Sequence, residues 1–216
     1  MTSPSLERQF TDLRQRMVDL QLGGRGIQDE RVLHAMALVP RHAFTPEQYR
    51  HEAYEDHPLP IGEEQTISQP YIVARMLEML ALKPPDRALE VGTGSGYVTA
   101  LLAQLTAQVV SLERHATLAN RAREVLVGLG YTNFRVVVSD GSQGWSECAP
   151  YHAILVSAAA PAVPPALLEQ LAEGGRMVIP IGPAETQQLQ LIRLWGGRPQ
   201  TTWHELCRFV PLISCG

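Results

Sequence analysis

The sequence is short of the features that mark exported, membrane-spanning or disulfide-bonded proteins. It has only three cysteines, Cys148, Cys207 and Cys215, which are odd in number, widely spaced and never arranged as CxxC. Its apolar runs stay below the roughly 18 residues that a membrane span requires. Charged residues near the N-terminus stand where a signal peptide would have its apolar core. We therefore expect a cytoplasmic protein with free thiols and no membrane partner.

Positive charge is also scarce. The 18 lysines and arginines are outnumbered by 22 aspartates and glutamates, which gives a formal net charge of −4, whereas nucleic-acid-binding domains are usually basic. None of the seven histidines belongs to a metal-binding spacing such as HExxH. These absences predict a protein that binds neither nucleic acid nor a metal ion. We also expect it to be a monomer.

What the sequence does contain is a change of pattern near residue 70. Helical apolar spacing over residues 6–22 and 29–39 is followed by a loop-like stretch over residues 41–69. Loops of this length inside a compact domain are usually functional or disordered, and the tyrosines and isoleucines here favour a packed, functional one. We therefore divide the chain into a helical lead-in with an active-site loop (residues 1–69) and a core (residues 70–216), within one structural domain.

Short apolar runs and helical periods alternate from residue 70 onwards. The pattern predicts helices over 70–82, 96–105, 115–129 and 164–171, and strands over 88–91, 109–112, 134–138, 153–157 and 177–181. Residues 188–194 and 203–210 follow as a final antiparallel pair. Repeated βα units predict an α/β fold of the doubly wound, Rossmann-like kind, with a mostly parallel sheet, helices on both faces and an antiparallel C-terminal strand.

The stretch ALEVGTGSGYVTALLA joins a predicted strand to a predicted helix through three glycines, Gly92, Gly94 and Gly96. Glycines at such a turn let a ligand approach the backbone, and the start of the helix offers free N–H groups. The spacing is GxGxG with Glu90 two residues ahead, and not the GxGxxG of dinucleotide sites. This pattern is typical of S-adenosylmethionine-dependent methyltransferases. Ordinary turn glycines and a nicotinamide site are the weaker alternatives.

Two further acids follow predicted strands. Glu113 ends the second strand, where an acid holds ribose hydroxyls, and Asp140 follows the third strand, where it can accept from an adenine amino group. Gly141 lets the backbone come close to a ligand. Because ligands of open α/β sheets bind beyond the carboxyl ends of the strands, these residues are expected to meet the glycine turn there. The alternative for Asp140 is a simple turn former.

Longer segments make the assignment specific. The chain carries VPRHAF at residues 39–44, AYEDHPLPIGEEQTISQPYIVARMLEML at 53–80, LEVGTGSGYVTALLA at 89–103, DGSQGW at 140–145 and RFVPL at 208–212. In these segments the sequence resembles the protein-L-isoaspartate (D-aspartate) O-methyltransferases, and the resemblance covers nearly the whole chain. The glycine turn is common to class I methyltransferases, whereas QTISQP and RFVPL are far more specific to this family.

The resemblance implies a reaction. Family members transfer a methyl group from S-adenosylmethionine to the free carboxylate of L-isoaspartyl, and also D-aspartyl, residues in damaged peptides and proteins. The ester then closes to a succinimide, whose hydrolysis returns part of the residue to normal aspartate, so the enzyme is a repair device. One alternative is a carboxyl methyltransferase of the same fold that acts on another peptide or small-molecule carboxylate. Another is a non-catalytic module that only binds the cofactor or a protein surface.

The resemblance also implies site residues. It assigns the catalytic serine to Ser68, whose hydroxyl is expected to orient the substrate carboxylate without forming a covalent intermediate. The residues implied to bind the cofactor lie in the active-site loop, the glycine turn and the strand ends: Thr66, Ile67, Ser68, Gln69, Glu90, Gly92, Thr93, Gly94, Ser95, Gly96, Glu113, Arg114, Asp140 and Gly141. Those implied to bind the substrate are Ile61, Thr66, Ser68, Arg208, Phe209 and Val210.

One segment departs from the family pattern. Many members carry glycine directly before QTIS, whereas this chain has GEEQTIS, which brings Glu63 and Glu64 near a site for an anionic substrate. Acidic side chains are seldom buried without partners, so we expect both to face solvent. The alternative is that they disfavour acidic residues beside the substrate. Glutamate at position 64 is also expected to restrict the backbone relative to glycine.

Overall fold

A computed structural model describes residues 4–213, and the first part of this range is mainly helical. Its helical elements are α1 (Pro4–Arg16), a π-helical turn (Met17–Leu22), a 3₁₀ turn (Gly23–Arg25) and α2 (Glu30–Leu38). Asp29 caps α2, because its side chain accepts from the backbone N–H groups of Arg31 and Val32, which have no partner inside the helix. The prediction of a second helix ending before Pro40 is confirmed.

The stretch predicted as a loop, residues 41–69, contains regular structure. Two 3₁₀ turns (Arg41–Phe44 and Glu47–Glu52) lead to a hairpin of two short strands, β1 (Leu59–Gly62) and β2 (Gln65–Ile67). The strands pair antiparallel, with Leu59 opposite Ile67. The loop prediction was wrong here because the hairpin turn is Glu-Glu, and the sequence shows none of the Asn-Gly or Asp-Gly signals that usually mark such a turn.

A seven-stranded sheet with the order β5-β4-β3-β6-β7-β8-β9 forms the core. Its strands are β3 (Arg87–Val91), β4 (Gln108–Glu113), β5 (Phe134–Val138), β6 (Tyr151–Val156), β7 (Leu171–Ile181), β8 (Gln187–Trp195) and β9 (Arg198–Cys207). Pairing is parallel from β5 to β7 and antiparallel from β7 to β9. The predicted α/β sheet with an antiparallel C-terminal part is confirmed, and the order of the strands reverses between β3 and β6.

Helices lie on both faces of this sheet. They are α3 (Pro70–Leu80), α4 (Tyr97–Leu105), α5 (Ala116–Gly128) and α6 (Pro165–Glu169). One hydrophobic core holds the buried side chains of α3, α4 and α5 together with Phe10 and Met17 from the N-terminal segment. A second core holds Leu167 of α6 with Val91 and Leu112 of the sheet. The N-terminal segment therefore packs into the same core as the sheet's own helices.

Four predicted bounds near the C-terminus are wrong: helix α6 and strand β9 end earlier than predicted, and strands β7 and β9 begin earlier, at Leu171 and Arg198. Helix α6 ends at Glu169, because the chain from Leu171 onwards pairs with β6 as strand β7. Strand β9 ends at Cys207, so residues 208–210 leave the sheet. Ala159 holds the departing tail, since its N–H donates to Val210 O at 2.8 Å and its carbonyl accepts from Leu212 N at 2.7 Å. The tail thus returns to the carboxyl end of β6.

The described residues, 4–213, also bear on the expectations about membrane spans, metal ions and cysteines. Within this range, no helix combines the length and apolar character needed to cross a membrane. The same range contains no group of three or more histidine, cysteine, aspartate or glutamate side chains placed to hold a metal ion. Cys148 and Cys207 are free thiols, and Cys215 lies outside the described residues.

Candidate active site

A cavity of about 200 Å³ opens at the carboxyl ends of β3, β4 and β6. Its walls come from stretches that are far apart in the sequence: residues 64–68, 91–95, 97–98, 112–115, 141, 157–158 and 210–213. The β1–β2 hairpin, the glycine turn and the C-terminal tail thus meet at one place. This place is the point of the sheet where the strand order reverses, which is where open α/β sheets bind their ligands.

The glycine turn connects β3 to α4. Gly92, Gly94 and Gly96 all have positive φ, at 93°, 52° and 89°, a region that residues with a Cβ rarely adopt. A Cβ at Gly96 would also lie 3.1 Å from Ala122 Cβ, so glycine lets α4 begin close against α5. Of the predicted residues in this turn, Gly92, Thr93, Gly94 and Ser95 line the cavity, and Gly96 is not among its lining residues.

Glu113 both holds the glycine turn and lines the cavity. Its Oε2 accepts from Gly94 N at 2.8 Å, and its Oε1 accepts from His115 N at 2.9 Å. The residue is only 5% exposed at the end of β4. A carboxylate fixed by two backbone N–H groups at a strand end suits the ribose hydroxyls of a nucleoside. Arg114 and His115 line the cavity beside it.

Glu90 lies beneath the glycine turn and is not among the residues that line the cavity. It is fully buried in β3, where Thr99 Oγ1 and Ser111 Oγ donate to its Oε2 at 2.5 and 2.6 Å. Ser111 Oγ in turn lies 2.5 Å from Thr93 Oγ1. Burial raises the pKa of the Glu90 carboxyl to about 8. Glu90 was predicted to be a cofactor contact, whereas its position indicates that it supports the turn through Ser111 and Thr93.

Asp140 and Gly141 follow β5 at the same edge of the sheet. Asp140 Oδ1 accepts from Ser142 N at 2.9 Å and so caps the 3₁₀ turn Gly141–Gln143. Gly141 lines the cavity, whereas Asp140 is not among the lining residues. A Cβ at position 141 would lie 2.4 Å from Val91 Cγ1, far inside van der Waals contact. Glycine therefore lets this backbone lie directly against β3.

The hairpin contributes the hydroxyl groups of the cavity. Thr66, Ile67 and Ser68 all line it. Ile67 is buried and pairs with Leu59 of β1, so the side chain between the two hydroxyl residues is fixed by packing. The segment that the resemblance singled out as QTIS therefore borders the same cavity as the glycine turn.

Two predicted residues of this region lie beside the cavity and are not among its lining residues, Gln69 and Ile61. Gln69 is the N-cap residue of α3, and its side-chain amide donates to Asp56 Oδ2 at 2.8 Å. The Cδ1 atom of Ile61 lies 3.3 Å from the position of a Cβ built on Gly94. Ile61 thus packs the hairpin against the glycine turn.

In the C-terminal tail, too, only some of the predicted residues line the cavity. Val210 lines the cavity, and Arg208 and Phe209 are not among the lining residues. Phe209 packs against the larger hydrophobic core, and its N–H donates to Gln187 Oε1 at 2.8 Å. Arg208 is exposed. Phe209 therefore anchors the tail, and Val210 is the member of the predicted trio at the cavity.

Sequence reasoning missed part of the lining, mostly small, apolar and tail residues. The missed residues are Glu64, Gln65, Val91, Tyr97, Val98, Leu112, His115, Ser157, Ala158, Pro211, Leu212 and Ile213. Ser157 and Ala158 were accessible to prediction, because Ser157 ends a predicted strand and Ala158 follows it, at the edge where ligands bind. No local signal marks residues 211–213, since their place depends on the turn of the chain after β9.

The two glutamates that depart from the family pattern form the tip of the hairpin. Both have positive φ, 50° at Glu63 and 58° at Glu64, and both are exposed. Glu63 Oε2 lies 3.7 Å from His115 Nδ1 across the mouth of the cavity, and Glu64 lines the cavity. Residues other than glycine are strained in this conformation. The turn therefore has a backbone conformation that its two glutamates disfavour.

Replacing Glu64 with glycine is expected to raise the free energy of unfolding by about 1 kcal/mol, because glycine adopts positive φ without strain. Glu64→Gln is the control: it removes the charge, keeps the Cβ and should stay within about 0.5 kcal/mol of the wild type. Urea denaturation of the three proteins measures the difference. Equal stability of Glu64→Gly and Glu64→Gln would show that the turn stores no strain.

The lining chemistry fits S-adenosylmethionine. Val91 and Leu112 offer apolar surface for a base, and the Glu113 carboxylate stands at the strand end where ribose hydroxyls bind. Gly141 brings backbone without a side chain to the cavity wall beside Val91. The carboxylate groups of Glu64 and Glu113 suit a ligand whose sulfonium and ammonium groups give it a net positive charge. Fold and site together define a class I S-adenosylmethionine-dependent methyltransferase.

Comparison with known proteins narrows this class. The family model of protein-L-isoaspartate(D-aspartate) O-methyltransferases matches residues 13–215. A protein-L-isoaspartate O-methyltransferase of Koribacter versatilis is 59% identical over 201 residues, covering 93% of this chain and 90% of the relative. One of Methanoculleus marisnigri is 54% identical over 201 residues, covering 93% and 91%. The chain belongs to the protein-L-isoaspartate(D-aspartate) O-methyltransferase family.

A solved structure supports the same conclusion. An enzyme of this description from Plasmodium falciparum, in complex with S-adenosyl-L-homocysteine, is similar with a TM-score of 0.80 and 30% identity. The similarity covers 93% of this chain and 98% of that one. The predictions of the fold, of S-adenosylmethionine as cofactor and of a repair methyltransferase acting on isoaspartyl residues are confirmed. A repair methyltransferase is favoured over a carboxyl methyltransferase that acts on another acceptor.

Proposed function

We propose that the cavity joins S-adenosylmethionine to the carboxylate of an L-isoaspartyl residue, and that Ser68 orients this carboxylate. One observation carries the proposal: Thr66 and Ser68 line the cavity from the hairpin, while the glycine turn and Glu113 line it from the sheet. The first pair supplies hydroxyl donors for a carboxylate. The second supplies the geometry of a nucleoside site. Donor and acceptor of the methyl group would thus be held on facing walls.

The reaction needs positioning more than proton transfer. A carboxyl group has a reference pKa near 4, so at pH 7 the substrate is already an anion and a nucleophile. S-adenosylmethionine, when bound, supplies a methyl group on a positively charged sulfur. A carboxylate oxygen aligned by Thr66 and Ser68 would form a bond to that methyl carbon as the carbon–sulfur bond breaks, with the electron pair left on sulfur. No proton moves, and the residues of the cavity act by alignment.

Hydroxyl groups suit this task. Ser68 Oγ and Thr66 Oγ1 can donate to a carboxylate without removing its charge, and hydrogen bonds to charged groups are the stronger ones. A serine in this role needs no histidine to activate it, in contrast to a nucleophilic serine. This explains how a short polar segment without histidine or cysteine can serve as the reactive part of the site.

The remaining predicted substrate contacts fit an extended peptide. Val210 lines the cavity, and Arg208 stands exposed two residues before it. We infer that residues 208–210 border the substrate chain as it leaves the cavity, with Ile61 supporting the hairpin on the other side. The methyl ester leaves the site and closes to a succinimide as the following backbone nitrogen displaces methanol. Hydrolysis of this ring returns part of the residue to normal aspartate. D-aspartyl residues present a similarly displaced carboxylate and are the second substrate class of the proposal.

Methyl transfer to two matched peptides tests the proposal. Labelled S-adenosylmethionine is supplied with one peptide that contains L-isoaspartate and one that contains L-aspartate at the same position. We expect label only in the first. Label in neither, with S-adenosyl-L-homocysteine still bound, would contradict the proposed acceptor and favour another carboxylate or a non-catalytic role. Label in both would contradict selectivity for the rearranged residue.

The partners and location of the protein stay predictions. We infer that it acts as a monomer on isoaspartyl-containing peptides and proteins, without nucleic acid, as its net charge of −4 supports. A cytoplasmic location is supported by the free thiols of Cys148 and Cys207.

A further inference from the structure

We propose that Asp56 is a positioning residue that holds Ser68 in place for methyl transfer. The inference rests on the proposed role of Ser68 and deepens it. Asp56 lies between the 3₁₀ turn Glu47–Glu52 and strand β1, and it is not among the residues that line the cavity. It therefore acts through its neighbours. Three donors from two separate parts of the chain converge on its carboxylate.

The first donor is the side-chain amide of Gln69, the residue directly after Ser68. Gln69 Nε2 donates to Asp56 Oδ2 at 2.8 Å and to the backbone carbonyl of Asp56 at 3.0 Å. The amide is thus held by two acceptors of one residue. Turning the amide over would set its oxygen against the backbone carbonyl, so this bond has one stable orientation.

The second donor is the backbone N–H of Tyr71, which donates to Asp56 Oδ1 at 3.1 Å. The first residues of a helix have N–H groups without partners inside the helix. In α3, Pro70 has no N–H and the N-cap residue Gln69 makes no side-chain cap bond. Asp56 supplies the cap from outside the helix, and its negative charge suits the helix N-terminus. The start of α3 is therefore fixed relative to Asp56.

The third donor is Arg25, whose Nη1 pairs with Asp56 Oδ2. The Arg25 guanidinium also lies 3.8 Å from the centre of the Tyr71 ring. The side chain of Asp56 is 19% exposed, compared with 46% for Arg25. The carboxylate is thus largely shielded from water, where its bonds count for more than those of an exposed ion pair.

These contacts hold Ser68 from its C-terminal side. From its N-terminal side it is held by Ile67, which is buried and paired with Leu59 of β1. Ser68 is the single residue between the two anchors, so the position of its backbone, from which the hydroxyl projects, is set by both. Loss of the Asp56 carboxylate removes one anchor and leaves the glycine turn intact. This predicts slower methyl transfer with unchanged cofactor affinity, a separation that general damage to the fold would not produce.

Asp56→Ala tests the inference, with Glu55→Ala as the matched control. Glu55 is the adjacent acid and is exposed. We expect Asp56→Ala to lower kcat for methylation of an isoaspartyl peptide by between about 10- and 100-fold, the scale of a small misplacement of a reacting group. Affinity for S-adenosyl-L-homocysteine should stay within about twofold, and Glu55→Ala should match the wild type. A wild-type kcat in Asp56→Ala, or a parallel loss of cofactor affinity, would overturn the inference.

Gln69→Met removes the hydrogen bond between Gln69 and Asp56 by deleting its donor. It replaces Asp56→Ala in the test if Asp56→Ala does not fold. If the two residues act through one bond, the double variant should lose no more rate than the slower single variant. Multiplied losses would contradict the coupling.

Hydrogen exchange separates this inference from the proposed function. Amides of residues 67–69 and 71–73 should exchange faster in Asp56→Ala and not in Glu55→Ala, even if the wild type fails to methylate the peptide. Unchanged exchange would overturn the positioning role by itself.

Discussion

Replacing Ser68 with alanine is expected to lower kcat for isoaspartyl methylation by about 10- to 100-fold. The loss is that of one hydrogen bond to a charged group, roughly 1.5 to 3 kcal/mol, which converts to that range of rates. Cofactor affinity should fall much less than kcat, because Ser68 is one of many predicted cofactor contacts and the glycine turn and Glu113 keep their contacts with each other. Steady-state kinetics on an isoaspartyl peptide and calorimetry with S-adenosyl-L-homocysteine measure the two effects.

Thr66→Ala and Ser68→Thr are the matched controls for this result. Thr66 has the second hydroxyl of the segment and lines the same cavity. If Thr66→Ala lost the rate and Ser68→Ala kept it, the carboxylate would be held by the other hydroxyl. Ser68→Thr retains a donor and should recover most of the rate. Full activity of both alanine variants would contradict a role for either hydroxyl.

The pH dependence of the same reaction separates orientation from nucleophilic catalysis. A substrate carboxylate is ionised well above pH 4, so kcat/KM should stay level between about pH 6 and 8. A serine nucleophile that needs a general base would give a rate rising with the ionisation of that base. A level profile that Ser68→Ala lowers evenly is therefore the pattern of an orienting hydroxyl.

The parallel part of the sheet was predictable because its strands carry their own signals. β3, β4 and β6 are short, mostly buried and mainly apolar segments, as expected where helices cover both faces, and Gly92, Glu113 and Ser157 lie at their carboxyl ends. The position of a residue just after such a strand was enough to find Glu113 and Gly141. It did not distinguish lining from support: Glu90 belongs to the same motif, and its complete burial depends on Thr99 and Ser111 from neighbouring elements.

The hairpin and the tail were harder to predict from the sequence, for a different reason. Strands β1 and β2 have four and three residues, too short for an alternating pattern to stand out, and their turn adopts positive φ at two glutamates. The tail reaches the cavity through backbone bonds to Ala159, which no periodicity encodes. The role proposed for QTIS rests on family resemblance. The contacts of Asp56 that support this segment could not be predicted from local patterns, because its partners Gln69 and Arg25 lie 13 and 31 residues away along the chain.

Glu90 is expected to make stability fall as pH rises through neutrality. Its pKa is raised from 4.5 to about 8, because burial disfavours the charged form. The unfolded chain therefore releases this proton earlier than the folded protein does. Between pH 4.5 and 8 the folded state holds the extra proton, so stability decreases with rising pH, with a slope approaching about 1.4 kcal/mol per pH unit. Below this window both states are protonated, and above it both are ionised.

Glu90→Gln removes this titration and nearly preserves the shape of the side chain. Urea unfolding of wild type and variant at several pH values between 5 and 8 should give curves that diverge, with the wild type losing stability relative to Glu90→Gln. Glu124→Gln, at an exposed position of α5, should run parallel to the wild type. Parallel curves for Glu90→Gln as well would show that Glu90 ionises normally. Divergence would mean that the Glu90 carboxyl stays neutral near pH 7 beneath the turn. The Glu113 carboxylate would then hold the glycine turn without electrostatic repulsion from a buried negative charge on Glu90.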